Sequence, residues 1–550
     1  MSTADSGSGD FTIADRLAEQ ARAHPELRAV ADARTPDIPA WTFSELDQRV
    51  DHLAAGFAAS GFEPGHRALV FITPSMDFFA TIWGLFRAGV VPVLIDPAMG
   101  AGPVLKAIEE AEPEHLLGIP KAILLSRLFA NRFRSVQSRF TTSTLASWAL
   151  GAHRLSDVYA KGASAPAARR GGDRDRPAAI LFTSGSTGAP KGVIYTHGIF
   201  DAQRAALGTA LDIRPGEADL SAFPLFSLFS QALGAAAIVP DMDTTRPAAA
   251  HPGLVHRDLR RYEVTYAFGS PAFWRRVAEG SGEAIPLRRL LMAGAPASVK
   301  LLETLLSRMP EGSDVFTPYG ATESLPVTMP SARALLAGPA QESAAGAGTW
   351  VGHPLPGVEL RVIPIDDGPV ETWAETRVLP AGQVGEIVVR SEVTTQGYFR
   401  RPDDDARSKV RDHGRLWHRM GDVGYLDDDG LWFCGRKKHR VTTKDGVLFP
   451  VRGESVLNQH PEVARTAIVG VGPAGAEAPV AWVELPEGRI PRGTERSRIA
   501  RELLELAQTS EHTRGIETVL FHAGFPVDAR HNAKIRRELL KLEAERSLSR

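Results

Sequence analysis

The chain has 550 residues, 43% hydrophobic and 23% charged, the profile of a soluble globular protein long enough for two or more domains. Lys plus Arg (63) and Asp plus Glu (65) nearly cancel to a formal charge of -2, which argues against nucleic acid as the main partner. One cysteine, Cys434, excludes an internal disulfide and a cysteine-rich metal site, and reads as a small buried hydrophobe.

Residues 1–11 are mostly small and polar and read as a frayed N-terminus, without the basic start and apolar core of a signal peptide. From about Thr12, helical patterns alternate with short β-branched runs. "RALVFIT" (67–73) and "VVPVLID" (90–96) read as buried strands flanking the helical "SMDFFATIWGLFRAG", an order that predicts a parallel α/β sheet. Arg87 and Pro92 break this most apolar region before it could span a bilayer, so no transmembrane segment is expected and the compartment reads as cytoplasmic. "KGASAPAARRGGDRDRP" (161–177) and "AGPAQESAAGAG" (337–348) read as soft separators. Beyond about 350, "VELRVI" and "GEIVVRS" come at hairpin spacing and suggest a β-rich subdomain; after Gly435 a smaller unit of mixed strands and helices follows. The segment from Arg530 to Arg550, with seven Lys/Arg against three Glu, reads as a solvated amphipathic helix.

The stretch "LFTSGSTGAPKGVIYTHG" (181–198) carries the first chemistry. Counting from Gly185, a P-loop would need Gly at 190 and Ser or Thr at 192; the chain has Pro190 and Gly192. Thr183, Ser184, Ser186 and Thr187 supply hydroxyls, Gly185 and Gly188 allow close backbone approach, and Lys191 supplies a mobile positive charge. Pro190 removes a backbone donor, so this loop relies more on side chains. Two other matches are weaker. Gly470, Gly472 and Gly475 of "AIVGVGPAG" have dinucleotide-binding spacing, but Pro479 and the strand-like "VAWVEL" follow where a helix should receive pyrophosphate. "LDDDG" (426–430) lacks the acidic residue a calcium loop needs at Tyr425 and reads as a hairpin turn.

Further along come "PYGATES" (Tyr319, Gly320, Thr322, Glu323), "WHRMGDVGYLDDDGLWFCGRKK" (Asp422, Arg436) and "RHNAKIRR" (Lys534). Together and in this order they resemble the adenylate-forming superfamily of acyl-CoA synthetases, peptide-synthetase adenylation domains and firefly-type luciferases. The resemblance implies a large N-terminal domain (12–435) of α/β subdomains plus a β-rich subdomain, and a small mobile α+β lid (436–550) hinged at Lys438. It implies ATP and Mg²⁺ as cofactors. Thr183, Ser184, Gly185, Ser186, Thr187, Gly188 and Lys191 would bind the β- and γ-phosphates, and Glu323 the metal. Tyr319 and Gly320 would lie at the adenine with Gly294 and Ala295 opposite, beside Thr322. Asp422 would accept from both ribose hydroxyls, Arg436 would touch the ribose, and Lys534 would stabilise the α-phosphate in the reaction. Thr183, Lys191, Glu323 and Lys534 form the implied catalytic set.

Several positions depart from relatives that pass the adenylate to a thiol. "FPLFSLF" has Ser227 where a histidine is usual, "TTKDG" (442–446) replaces a Gly-Gly loop, Lys438 replaces a common Asp, and Ala533 replaces Gly. These departures count against thiolation and leave adenylation untouched. "AIEEAEPEHLLGIPKAILLSRL" (107–128) and "RHNAKIRR" are similar to the β-lactone synthetases of bacterial long-chain olefin biosynthesis. That resemblance implies a 2-alkyl-3-hydroxy fatty acid substrate whose own hydroxyl closes the ring. It also implies companions: a thiolase-like condensing enzyme, a reductase and a β-lactone decarboxylase. A long-chain acyl-CoA synthetase or acyl-AMP ligase is the alternative, and a non-enzymatic acyl- or nucleotide-binding protein a third. Phe226, Ser227, Phe229, Phe268, Phe273 and Trp274 are candidate linings for the acyl pocket. His197 is as readily structural as basic, so the group that deprotonates the hydroxyl stays open.

Overall fold

A computed structural model describes residues 11–166, 172–183, 190–527 and 535–549. The strand–helix–strand unit expected over 67–96 is present. Arg67–Phe71 and Val91–Ile95 pair in parallel, Leu69 opposite Val93, with the helix Met76–Arg87 between them. Ser75 starts that helix by accepting the Phe78 amide at 3.2 Å. The helix is apolar on every side and buried throughout, apart from Asp77. Arg87, which interrupts the apolar run, is itself buried and reaches the carboxylates of Asp47 (2.5 Å) and Asp51 (2.8 Å).

This unit belongs to a seven-stranded sheet in the order His153–Arg154, Ser138–Thr141, His115–Gly118, Arg67–Phe71, Val91–Ile95, Pro177–Thr183, Lys191–Thr196. All neighbours are parallel except the last pair, which is antiparallel with Thr183 opposite Lys191. A second seven-stranded sheet runs Asp314–Phe316, Arg289–Met292, Tyr266–Gly269, Ala218–Leu220, Ala236–Val239, Arg28–Asp32, Trp41–Thr42, again parallel but for its final pair. One apolar core joins the two sheets, from Phe43, Phe79 and Trp83 to Ala237 and Val239.

The β-rich portion is an antiparallel sheet ordered Thr349–Trp350, Gly430–Arg436, Arg415–Asp427, Gly385–Arg390, Glu359–Ile363. "VELRVI" and "GEIVVRS" do pair, Leu360 opposite Val389, but through the long connection 364–384 rather than a tight turn. The separator expected at 337–348 contains a short helix, Pro339–Ala344, which Pro339 can open because its missing N–H costs nothing in a first turn. "LDDDG" is a hairpin turn, Asp427 opposite Gly430, and the Asp427 carboxylate accepts from the Asp429 amide and the Trp432 indole at 3.0 and 3.1 Å.

After Arg436 a three-stranded sheet (Arg465–Val471, Ala478–Glu484, Thr518–Phe521) packs with helices Pro450–Leu457, Gly493–Ala507 and Arg537–Leu548. The dinucleotide-like glycines lie at the hairpin of its first two strands. Gly470 faces Pro479 in the ladder, where a Cβ would come within 2.7 Å of the Glu477 carboxyl carbon. Cys434 is fully buried within Gly430–Arg436, and burial pushes its thiol up to about 12.

Candidate active site

Thr183 and Lys191 stand opposite one another at the carboxyl edge of the first sheet, where a doubly wound sheet presents ligands. Ser184, Gly185, Ser186, Thr187 and Gly188 lie outside the described residues. Lys191 Nζ donates to Asp404 Oδ1 at 2.6 Å and sits 5.1 Å from the centroid of the Tyr398 ring. The Tyr398 hydroxyl donates to Glu323 Oε1 at 2.7 Å, and its amide donates to Asp405 at 2.8 Å. Burial and the Glu323 charge raise the Tyr398 phenol far above its ordinary range, so it stays a donor.

Glu323 is placed by a small hairpin, Tyr319–Ala321 with Ser324–Thr328, whose turn is Thr322–Glu323. Both turn carbonyls are tied from outside. Tyr195 OH donates to Thr322 O at 2.5 Å, and Thr395 donates to Glu323 O from its amide (2.8 Å) and hydroxyl (3.1 Å). Gly320 has to be glycine, since a Cβ there would lie 2.7 Å from Ser324 O. Below the turn the buried Lys409 Nζ donates to Thr395 O; burial lowers this lysine to about 8, against the pull of Glu323 and Asp405. His418, opposite Lys409 in the ladder, is held neutral by burial.

A second cluster adjoins this hairpin. Tyr319 OH donates to Asp422 Oδ2 at 2.8 Å, and Arg436 Nη1 lies 2.9 Å from Asp422 Oδ1. Strand register makes this possible, with Asp422 directly opposite Arg436 in the antiparallel pair. Asp422 is buried, while Arg436 is over a third exposed along its side chain. The Asp422 charge strengthens the guanidinium, and burial holds the Tyr319 phenol in its neutral form. Gly294 (φ 94°) and Ala295 follow Arg289–Met292 at the carboxyl edge of the second sheet. That strand pairs in parallel with Asp314–Phe316, which leads directly to Tyr319.

Beyond Arg436, Lys438 is exposed in the turn Lys437–His439, which Lys437 anchors through Glu386 (2.9 Å) and the Asp366 carbonyl (2.8 Å). Lys534 lies outside the described residues.

The aromatic candidates divide. Phe226, Phe229 and Phe268 form one half-buried cluster, Phe226 stacked on Phe268 at 4.7 Å, packed against Leu207, Leu211, Tyr266 and Leu291. Ser227 is buried, and its hydroxyl donates to Asp219 Oδ2 at 2.6 Å, a carboxylate shared with Ser230 at 2.8 Å. Burial lifts Asp219 to about 6 against those two donors. Phe273 and Trp274 sit apart from that cluster. Both are wholly buried in the core beneath the second sheet, where a Cβ on Gly269 would come within 2.8 Å of each. Their apolar bulk serves packing there. His197 is also structural: the Ile13 amide donates to its Nδ1 at 3.3 Å, Phe86 meets its ring edge-on, and burial lowers it to about 4.

Tyr195, Thr395, Tyr398, Asp404 and Lys409 are not among the residues expected from the motifs. Each sits in an otherwise ordinary strand, loop or helix, and only tertiary contact brings it to Glu323 or Lys191. The local signal was slight, amounting to an aromatic followed by an acidic run in "GYFRRPDDD".

This chain belongs to the AMP-binding enzyme family, whose model matches residues 17–399. Its fold is that of adenylate-forming enzymes. The amide bond synthetase of Marinactinospora thermotolerans aligns over 96% of this chain and 99% of its own, with TM-score 0.76 and 23% identity. An anthranilate CoA ligase solved with anthranoyl-AMP aligns over all of both chains, with TM-score 0.77 and 17% identity. At those identities the likeness shows the fold alone. Among curated relatives, the olefin β-lactone synthetase of Xanthomonas campestris is 43% identical over 92% of this chain and 90% of its own. That of Stenotrophomonas maltophilia is 40% identical over 98% of each.

Proposed function

We propose that this enzyme uses ATP to activate a long-chain 2-alkyl-3-hydroxy fatty acid as its acyl-adenylate and then closes a β-lactone. A carboxylate oxygen of the acid attacks the α-phosphorus and pyrophosphate leaves. The β-hydroxyl oxygen then attacks the acyl carbon, the hydroxyl proton is lost, and the bond to AMP breaks. The observation that carries this reading is the near-full-length likeness to two olefin β-lactone synthetases. Ser227 and "TTKDG", which depart from thiol-using relatives, agree with it.

The geometry supports an adenylating site. The buried Asp422 carboxylate, steadied by Tyr319 and Arg436, suits a vicinal diol such as the ribose hydroxyls. Lys191 and the hydroxyl-rich loop after Thr183 suit the outer phosphates, and Lys534 the α-phosphate. Among the described residues no group of three or more His, Cys, Asp or Glu could hold a metal alone. Glu323 offers one carboxylate, with one oxygen taken by Tyr398. That fits Mg²⁺, which is usually shared between one or two carboxylates and substrate phosphates, and which would neutralise charge on the nucleotide.

Ring closure needs no second substrate. The site has only to hold the right rotamer, which can contribute roughly 7–11 kcal/mol in favourable cases, and to exclude water. Residues 12–435 would hold nucleotide and acyl chain while 436–550 act as the lid carrying Lys534. The compartment we assign is the cytoplasm, alongside the condensing, reducing and decarboxylating enzymes such a substrate and product require.

The test is incubation with ATP, Mg²⁺ and a 3-hydroxy-2-alkyl acid without coenzyme A, following the organic product by NMR. A lactone with AMP release is expected. Turnover only when coenzyme A is added would assign the enzyme to the acyl-CoA synthetases instead.

A further inference from the structure

Between Ile119 and Arg154 the chain has six Lys/Arg (Lys121, Arg127, Arg132, Arg134, Arg139, Arg154) and no Asp or Glu, in a protein whose formal charge is -2. Two helices in this stretch turn apolar faces outward. On Pro120–Leu128, Ala122, Ile123 and Ser126 face the core, while Lys121, Leu124, Leu125 and Leu128 form an outward stripe at helical spacing, with the exposed Phe129 after it. On Thr144–Leu150, Leu145, Trp148 and Ala149 are exposed. The largest exposures are Trp148 at 85%, Leu145 at 74% and Leu128 at 68%, the reverse of what burial in a monomer's core would ask of these residue types.

The two faces form one surface. The helices pack on each other, and Arg127 ties them by donating to the carbonyls of Leu150 (3.1 Å) and Gly151 (3.2 Å). They leave the sheet after His115–Gly118 and Ser138–Thr141, parallel neighbours in the sheet that carries Pro177–Thr183. Both therefore start at the carboxyl edge from which the phosphate loop also departs. Three of the cations are paired: Arg132 with Glu109, Arg134 with Glu112 at 3.9 Å, and Arg154 with Asp157 at 2.7 Å. Lys121, Arg127 and Arg139 have no acidic partner among the described ion pairs, and Arg127 and Arg139 lie close enough for the one to lower the other.

We infer that this surface docks on an anionic lipid bilayer. The chemistry matches term by term. A Trp, a Phe and a set of Leu side chains on short helices enter the headgroup and upper acyl region, while lysine and arginine meet acidic headgroups. No described helix is long and apolar enough to cross the membrane, so the contact is interfacial. A second copy of this chain is the less fitting occupant, because two such surfaces would bring like charges together. The inference does not depend on the reaction proposed above.

Co-sedimentation of the full chain with vesicles tests it. Phosphatidylcholine–phosphatidylglycerol vesicles should pellet the protein, phosphatidylcholine alone should not, and added salt should release it. A doubly substituted chain, Leu128→Glu with Trp148→Glu, should lose about tenfold or more in partitioning, and Lys121→Gln about fivefold at roughly 1 kcal/mol per basic residue. Unchanged thermal melts should show that both variants remain folded. Absence of binding to either vesicle, equal binding to neutral vesicles, or variants that bind like the parent would each overturn the inference. So would sedimentation velocity showing self-association that Trp148→Glu disperses, since the patch would then be an interface between copies.

Discussion

At the scale of single residues, the two carboxylates of the site have different surroundings. Asp422 is buried, accepts from the Tyr319 phenol and lies against the Arg436 guanidinium. Glu323 binds Tyr398 through one oxygen, and its other has no hydrogen bond among the described residues. Asp422→Asn should weaken nucleotide-dependent pyrophosphate exchange about tenfold to a hundredfold, because hydrogen bonds to a charged group are worth roughly 1.5–3 kcal/mol. Lys534→Ala should act differently, abolishing adenylate formation while ATP binding by calorimetry stays nearly intact. Adenylation surviving that change would remove the lysine from the mechanism. The motif residues were legible because their types and order are distinctive. Tyr398, Asp404 and Lys409 were not, because their positions depend on contacts across dozens to hundreds of residues that no local pattern encodes.

At the scale of elements, periodicity located the buried strands and the largely apolar helix between them, and a missing helix after Gly475 disposed of the dinucleotide reading. The same signals could not tell Phe273 and Trp274 from Phe226 and Phe268. All four are large aromatics near strand ends, and only the packing beneath the second sheet separates core from half-buried cluster. The helix Ser227–Ala232 lays two serines on Asp219, and this makes a measurable prediction. Asp219 is raised from 3.8 to about 6 in the folded protein, so the folded state holds its proton more tightly than the unfolded chain. Its contribution to stability is therefore fully present below about pH 3.8 and is lost as pH rises through about 6. Asp219→Asn keeps an acceptor for Ser227 and Ser230 but cannot titrate. Its melting temperature relative to the parent should climb between those limits and level off above them; a constant difference would show that Asp219 does not titrate there.

At the scale of the molecule, two parallel sheets share one core, and the antiparallel sheet contributes Asp422 and Arg436 by register. Under the proposed reaction Mg²⁺ would arrive with ATP at Glu323, so it is not expected to hold the fold together. Chelation with EDTA should stop turnover while leaving the melting temperature of the ligand-free protein unchanged. ATP with Mg²⁺ should raise that temperature, in proportion to about 2.7 kcal/mol of stabilisation at a hundredfold excess over Kd. A fall in melting temperature on chelation alone would point to a structural ion instead.

The 2.6 Å contact between Lys191 and Asp404 has a further consequence for turnover. Asp404 already neutralises Lys191, so under the proposed reaction a triphosphate that engaged the lysine would have to displace this carboxylate. When pyrophosphate departs, the carboxylate can return to its place. Under the proposed reaction Asp404 would compete with the phosphates for Lys191, favouring product escape at some expense in nucleotide affinity.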